Sequence, residues 1–531
     1  MVIRSLGIGF GFLENEFVRA VFSAKLALLI VGFLVFTTII PTVSAQEAGS
    51  LTNPSAQNSS GSCGPPLYSC SRTDTAVIRD EHPPQLGDNP NYYGGHSGAG
   101  KVAVDPAYGN PILRVTDGKM LNGQSFNTSG SAEKNPWSYD ETLFIGHNET
   151  EELCLFQFDQ TAFQSNWKGC FNGYGHGGGA DFGYAEADNY AFYNYVLNKL
   201  QRFVIDKSDW KITADPSFNN GAGSFNPDAS NCLDGQIAAN HWTVHDHALS
   251  SDDNTEIAAI GPEQDADPYL VVWNALKGCE WLNVRTWQVS QGWNTGLKNP
   301  VDIAWVDGVK PTLPGGIHNA QIDRSGAFGL LTIHQTGLGH KFFWTLGSNK
   351  VDATCYKCIS HWACDYGVCF WDYQVQTSYD MRSQPIGSSA AEPNMDNGAA
   401  LGEWNADEHL SHANAVKGAK NMYLAAWQTR GSATATQVWE GELTGISWDG
   451  SQRTVRFNKH WNSGFGGFWG SSRCDISHLG HYALCASDYE MNNLDKGFGN
   501  GLNQDICDHE LDAAHRGTNS CRTDLLVFKL N

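Results

Sequence analysis

One short unit recurs along this chain and constrains its fold more than any other feature. A polar residue leads into a turn of Ser, Asp or Gly, and two apolar strands follow. The unit reads NPWSYDETLFIG with ELCLFQFD, then FGYAEADNYAFYNYV with KLQRFVID, then HALSSDDNTEIAAIG with PYLVVWNA and EWLNVRTWQV. It returns as HNAQIDRSGAFGLLTIH with KFFWTLG, as HANAVKGAKNMYLAAW with TQVWEGEL and TVRFNK, and as SHLGHYALCAS with the C-terminal DLLVFKL. Apolar and polar residues alternate over short runs in each copy, which is the period of a strand, and the turns carry Asp, Asn, Gly or Ser. A unit this small cannot bury a sheet face alone, so the copies must stack.

Stacked units of antiparallel strands predict an all-β fold, a β-propeller of six or seven blades. The segment KVAVDPAYGNPILRVTDG (101–118) is placed to supply outer strands of a shared blade, and DLLVFKL would close the ring beside it. Two β-sandwiches would need a midpoint linker, which the sequence does not show. The 57 Gly and 18 Trp suit many short strands joined by tight turns.

The N-terminus bears on the compartment. Residues 26–40, LALLIVGFLVFTTII, follow Arg19 and Lys25 and precede PTVSA, the pattern of a secretory signal cleaved before Gln46. The run is short for a full membrane span. Residues 46–100, rich in Ser, Gly, Pro and Asn, read as an arm over the surface, and 101–531 as a single propeller domain. A secreted, periplasmic or extracellular chain suits the 14 cysteines, an even number best read as disulfides. Proximity suggests Cys63/Cys70, Cys154/Cys170, Cys232/Cys279, Cys474/Cys485 and Cys507/Cys521. The run CYKCISHWACDYGVC (355–369) is too compressed for the common zinc templates and reads as a disulfide-pinned loop. A formal net charge of −22 without a Lys/Arg cluster argues against nucleic acid as a partner.

Aligning the units by their turns places His247, His318 and His412 at one position at the start of the inner strand, with His478 close to it. Inner strands line the channel of a propeller, so equivalent positions of neighbouring blades converge there. Such imidazoles suit a divalent metal, with Mn, Zn and Ca as candidates. Repeated inner-strand histidines can equally pin adjacent blades through backbone bonds. Acid–base candidates lie nearby: His245 and Asp246 before His247, Glu408 before His412, and Asp181 in the glycine-rich GYGHGGGADFGYAEAD with His176. Glu403 is a further carboxylate. Trp137, Trp404 and Trp461 lie in or beside loops, where stacking on sugars is one reading and core packing the other. No GxSxG elbow, HExxH helix or EF-hand loop is present.

The unit, with its His, three residues and Ser/Asp turn, resembles the blades of periplasmic TolB-type propellers. In the histidines His247, His318, His412 and His478 the chain also resembles oligogalacturonate lyases, in which histidines from several blades and a Gln hold a divalent metal. The Gln and the ligand order of that family are not matched here. The substrate of that family does not carry over; the four aligned histidines and the nearby carboxylates point to an exported enzyme acting on a polysaccharide or oligosaccharide, by lyase chemistry at a metal or hydrolase chemistry at two carboxylates. The alternative is a non-catalytic propeller that binds glycans or partner proteins. N-terminal sequencing of the exported chain is expected to begin at Gln46; a start at Met1 in a membrane fraction would instead mark residues 26–40 as an anchor.

Overall fold

Four of the predicted turns share one geometry. In each, the backbone N–H of the first residue donates to the carbonyl five residues on: Ser138 to Leu143 at 3.0 Å, Ser250 to Thr255 at 2.9 Å, Asp323 to Phe328 at 3.1 Å and Ser477 to Tyr482 at 2.8 Å. The first residue's side chain then accepts the returning N–H, from Leu143, Thr255, Phe328 and Tyr482 respectively. This local bonding is why Ser and Asp stand at those positions.

The computed structural model describes residues 98–128, 134–175, 179–220, 225–263, 266–306, 316–335, 338–358, 362–364, 368–375, 378–385, 409–411, 422–426, 441–447, 454–461, 473–487 and 523–530, with short pieces between 64 and 86. All lie in one compact unit, Gly61–Asn531. The described strands form seven sheets, antiparallel except for one short parallel pairing, and the protein is a disulfide-stabilised β-propeller. In chain order, sheet 1 runs Phe126–Asn127, Leu143–Asn148, Leu153–Asp159 and Gln164–Phe171. Sheet 2 runs from Asp181–Phe182 outward to Lys211–Ala214, sheet 3 from Thr243–Leu249 to Val301–Asp302, and sheet 4 begins at Gly316–Ile322. Sheet 5 has three strands, Trp362–Cys364, Val368–Val375 and Ser378–Pro385, and sheet 6 runs from His409–Ser411 to Thr454–Lys459.

The last sheet closes the ring. Its order is Val102–Val104, Pro111–Arg114, Asp524–Lys529, Tyr482–Ser487 and Cys474–Ile476, so the C-terminal strand lies between the N-terminal segment and the final repeat. A buried Arg114–Asp524 pair at 2.6 Å and the Thr116 hydroxyl on the same carboxylate lock this junction. The outer strands fall where 101–118 and DLLVFKL place them. Sheet 5 was not anticipated: the cysteine-rich 355–369, read as a pinned loop, contributes Trp362–Cys364 and the start of the next strand, and its side chains lie outside the described residues.

Apolar faces pack between successive sheets. Trp137 is fully buried against Phe144, Phe158 and Tyr482, joining sheet 1 to the closing sheet. Trp461 is buried as well, so both described tryptophans offered as sugar platforms belong to the core; Trp404 lies outside the described residues. Among the described residues, disulfides join Cys154–Cys170, Cys232–Cys279 and Cys474–Cys485. The first and third join directly opposed residues of neighbouring strands. Part of the N-terminal arm is held too: Tyr68 is buried with its hydroxyl on the Gly480 carbonyl, and Asp74 meets Arg456 of sheet 6. Among the described residues no helix is long and apolar enough to cross a membrane.

The turns also hold one another. Glu141 of sheet 1 accepts from the Ser477 hydroxyl and the Leu479 N–H of the closing sheet and faces the His481 ring at 2.8 Å. Asp253 of sheet 3 accepts the N–H groups of Tyr184 and Ala185 of sheet 2 at 2.8 and 3.0 Å. Glu141 and Asp253 occupy the same turn position and both have positive φ, 56° and 54°. Glycine would be easier there, yet it has no side chain to accept bonds from the neighbouring turn. Glu141→Ala is expected to lower stability by about 3 kcal/mol, because it orphans buried donors. Glu141→Gly loses the same bonds but accepts the φ, and should recover roughly 1 kcal/mol of that loss in urea unfolding.

Candidate functional site

Each inner strand runs into its turn, so residues just before the turn line the channel wall and the second residue of the turn reaches the axis. The axial residues come from one repeat position, the second of each turn: Tyr139, Tyr184, Arg324 and His478. The rings of Tyr139 and His478 lie 4.6 Å apart, those of Tyr184 and His478 6.1 Å apart, and the Arg324 guanidinium sits 3.9 Å above the Tyr184 ring. Tyr184, Arg324 and His478 are all buried, so side chains fill this end of the axis. Burial, with Arg324 adding to it, pushes His478 down to about 4.

Further along the wall, inner strands of sheets 1 to 4 assemble a charged cluster. Lys134 Nζ lies 3.2 Å from Asp246 Oδ1 and 3.7 Å from Asp181 Oδ2. Lys134 lies in the segment leading into the Ser138 turn of sheet 1 and Asp246 in sheet 3, so the pair spans sheet 2. Asp246 also accepts from the His247 N–H at 2.9 Å, Asn319 Nδ2 at 2.9 Å and the Ala320 N–H at 2.7 Å. Asp181 accepts the Asn135 N–H at 2.6 Å through Oδ1, while its Oδ2 has no hydrogen bond. His247 Nδ1 lies 2.7 Å from Glu256 Oε1, and its Nε2 rests on the Gly179 carbonyl.

Burial decides the protonation states. It lifts Asp181 to about 6 despite Lys134, and lifts Glu256 well above the usual carboxylate range, with Asp181 adding to the effect. It holds His247 well below the ordinary imidazole value, helped by Lys134. Burial alone would lower Lys134, but Asp246 and Asp181 outweigh it and the ammonium is retained. Near neutrality, then, protonated Glu256 donates to His247 Nδ1 and His247 Nε2–H donates to Gly179.

At the other end of the same inner strand of sheet 3, His245 Nδ1 lies 2.8 and 3.0 Å from the two oxygens of Asp267, and Nε2 lies 2.6 Å from the Thr243 hydroxyl. The His245 side chain is 21% exposed and that of Asp267 is fully buried.

The strand registers correct the histidine alignment. Both sheets 3 and 4 carry a bulge in the inner strand, between Val244 and Asp246 and between Ile317 and Asn319. His318 is therefore the counterpart of His245, while the counterpart of His247 is Ala320. His478 is the second residue of its turn, in the axial group. The described histidines thus occupy three different repeat positions and do not form one ring of ligands. His412, Glu408, Glu403 and His176 lie outside the described residues. Among the described residues no group of three or more His, Cys, Asp or Glu side chains is arranged to hold a metal ion, and both ring nitrogens of His247 are already engaged. Among the described residues, then, the donors do not fit the expected metal.

The structure does bring Asp181, Asp246 and His247 together, and joins His245 to Asp267. Lys134, Glu256 and Asp267 were missed. Lys134 stands four residues before the Ser138 turn and Glu256 one after Thr255, so a count from the turns would have placed both near the wall. Nothing local marks Asp267, which comes from the loop between the second and third strands of sheet 3.

No protein-family model matches the chain, and no curated protein matches it. Among solved structures it is similar to an oligogalacturonate lyase in complex with manganese, at 10% identity and a TM-score of 0.45 over 82% of this chain and 96% of that one. It is also similar to TolB from Acinetobacter baumannii, at 12% identity and a TM-score of 0.29 over 63% and 64%, and to the Dos1 propeller, at 9% and 0.37 over 82% and 89%. These are propellers of the kinds the repeat resembles. Identities this low concern the fold alone, and at such TM-scores nothing about activity, substrate or metal is drawn from them.

His478 makes a testable contribution to acid sensitivity. Its folded value, about 4, lies below the ordinary 6.5, so the unfolded chain takes up the proton first as pH falls. Its share of stability is present above pH 6.5 and is lost towards pH 4, on the order of 3 kcal/mol. His478→Gln should flatten the slope of unfolding free energy against pH in that window. Asp181, with a raised value, opposes it between 3.8 and about 6, where stability falls as pH rises.

Proposed function

We propose that the chain is an exported carbohydrate-active enzyme that hydrolyses a polysaccharide or oligosaccharide at the channel, with Asp181 as proton donor and Asp246 as the ionised partner. One observation carries this reading: two carboxylates share the Lys134 ammonium in unlike surroundings. Asp181 is buried with an unbonded oxygen and a value near 6, whereas Asp246 accepts three hydrogen bonds and its side chain is 15% exposed. Carboxylates driven apart in this way supply an acid and a base near neutral pH.

The reaction places protonated Asp181 Oδ2 against the glycosidic oxygen as the bond to the anomeric carbon breaks. Asp246 stabilises the developing positive charge on the sugar ring, or takes the proton of the attacking water. Lys134 and the bonds from Asn319 and Ala320 hold and orient the Asp246 carboxylate. His247 and Glu256 form the neutral wall behind Asp181. The N-terminal signal pattern and the disulfides support an exported, oxidising setting.

The depth of Lys134 and Asp181 also favours a second reading, in which the cluster pins sheets 1 to 4 and the propeller only binds glycans or proteins. Release of reducing ends from a panel of polysaccharides separates the two. Hydrolysis is expected to fall as pH rises through about 6, where Asp181 loses the proton it must donate. Asp181→Asn should lower kcat by roughly 100- to 10,000-fold while the melting temperature stays close to the parent's. Glycan binding without turnover by the unaltered protein would overturn the hydrolase reading in favour of the binding one.

A further inference from the structure

We infer that the mouth of sheet 3 carries a second, covalent-catalysis site, in which Thr243, His245 and Asp267 cleave carboxylic esters such as acyl groups on a sugar hydroxyl. The site uses other residues and other chemistry than the carboxylate pair, and does not depend on it.

The geometry is that of an activated hydroxyl. Asp267 grips His245 Nδ1 through both oxygens at 2.8 and 3.0 Å, which fixes the tautomer with Nδ1–H on the carboxylate. Nε2 is then an acceptor, and the Thr243 hydroxyl lies 2.6 Å from it. A nucleophile bonded to a base that is oriented by a buried carboxylate is the arrangement hydroxyl nucleophiles need. Thr243 is exposed and so within reach of a substrate.

Two features show that the surroundings are built for this contact. A side chain at Gly261 would place its Cβ 2.5 Å from Asp267 Oδ1, so the glycine lets the carboxylate lie against the strand. The Asp267 backbone is itself anchored, since its carbonyl accepts the Ile317 N–H of sheet 4 at 3.1 Å. Sheet 4 provides an internal comparison. It has the same bulge and a histidine in it, His318, but Gly316 stands where sheet 3 has Thr243. The bulge histidine therefore does not require a hydroxyl beside it.

The step balances within these groups. Thr243 Oγ1 bonds to the acyl carbon as His245 Nε2 takes its proton. The ester C–O bond breaks, and the alcohol leaves with that proton. Water, giving a proton to His245, attacks the acyl-threonine; the carboxylic acid departs and the hydroxyl is restored. Asp267 touches no substrate atom and is a positioning residue.

The test uses the whole mature chain with an alkyl fluorophosphonate and with p-nitrophenyl acetate. The expected result is a single phosphonyl adduct on the peptide bearing Thr243, absent in Thr243→Ala, with ester hydrolysis reduced roughly 100-fold or more in that variant. Thr243→Ser should retain both labelling and turnover. Asp267→Asn should depress kcat with KM little changed, a split that general loosening of the loop would not produce. Thermal melts of each variant guard against unfolding. No adduct on Thr243 in the unaltered protein, or undiminished hydrolysis by a folded Thr243→Ala protein, would overturn the assignment.

Discussion

The propeller depends on hydrogen bonds passed between the turns of neighbouring sheets. Glu141 joins sheet 1 to the closing sheet, and Asp140 joins it to sheet 2 through the Tyr190 hydroxyl. Asp253 joins sheets 2 and 3, Ser251 bonds to the Arg324 carbonyl of sheet 4, and Ser411 of sheet 6 accepts the Ile476 N–H of the closing sheet. Apolar packing between sheets is strong but tolerant of sliding. These bonds are short and directional, so they set how the sheets they join meet. Two of them require a non-glycine residue at positive φ, a local cost accepted for a contact between sheets.

Turns held in this way bring like positions together. The residue after each turn start reaches the axis, which is why Tyr139, Tyr184, Arg324 and His478 meet although they are far apart in sequence. The residues before the turn line the wall, where Lys134, Asp181, Asp246 and His247 share one space with Glu256 of the second strand of sheet 3. A lone ammonium among three carboxylates would be unstable if all three were charged. Burial resolves the conflict by raising Asp181 and Glu256, and the same physics gives the cluster a proton to donate near neutral pH.

Much of the fold was legible because its signals are local or periodic. Ser138, Ser250, Asp323 and Ser477 announce their turns, and the opposed pairs Cys154/Cys170 and Cys474/Cys485 lie close in sequence on hairpin strands. Sheet 5 was not legible because apolar residues, Cys and aromatics among them, fill successive positions of Trp362–Cys364 and the start of Val368–Val375 and hide the two-residue alternation. The site was only half legible. Asp181, Asp246, His245 and His247 carry visible polarity beside a turn, but matching whole turns hides the spacing: His247 lies three residues before Ser250, His318 five before Asp323 and His478 one after Ser477, so they fall in different classes.

What the sequence by itself determined is the repeat: all-β units, turn chemistry, the closing strands at both ends, and the nearby disulfides. Each rests on interactions within a few residues or on the two-residue period of a strand. What only the tertiary structure decided is convergence. A one-residue bulge before Asp246 and another before Asn319 re-aim the side chains around them, and no periodicity reports a bulge. Lys134 meets Asp246 only because the ring curves past sheet 2, and Asp267 meets His245 only because a loop folds back over Gly261. Those contacts depend on register and curvature, which belong to the closed ring and not to any one of its repeats.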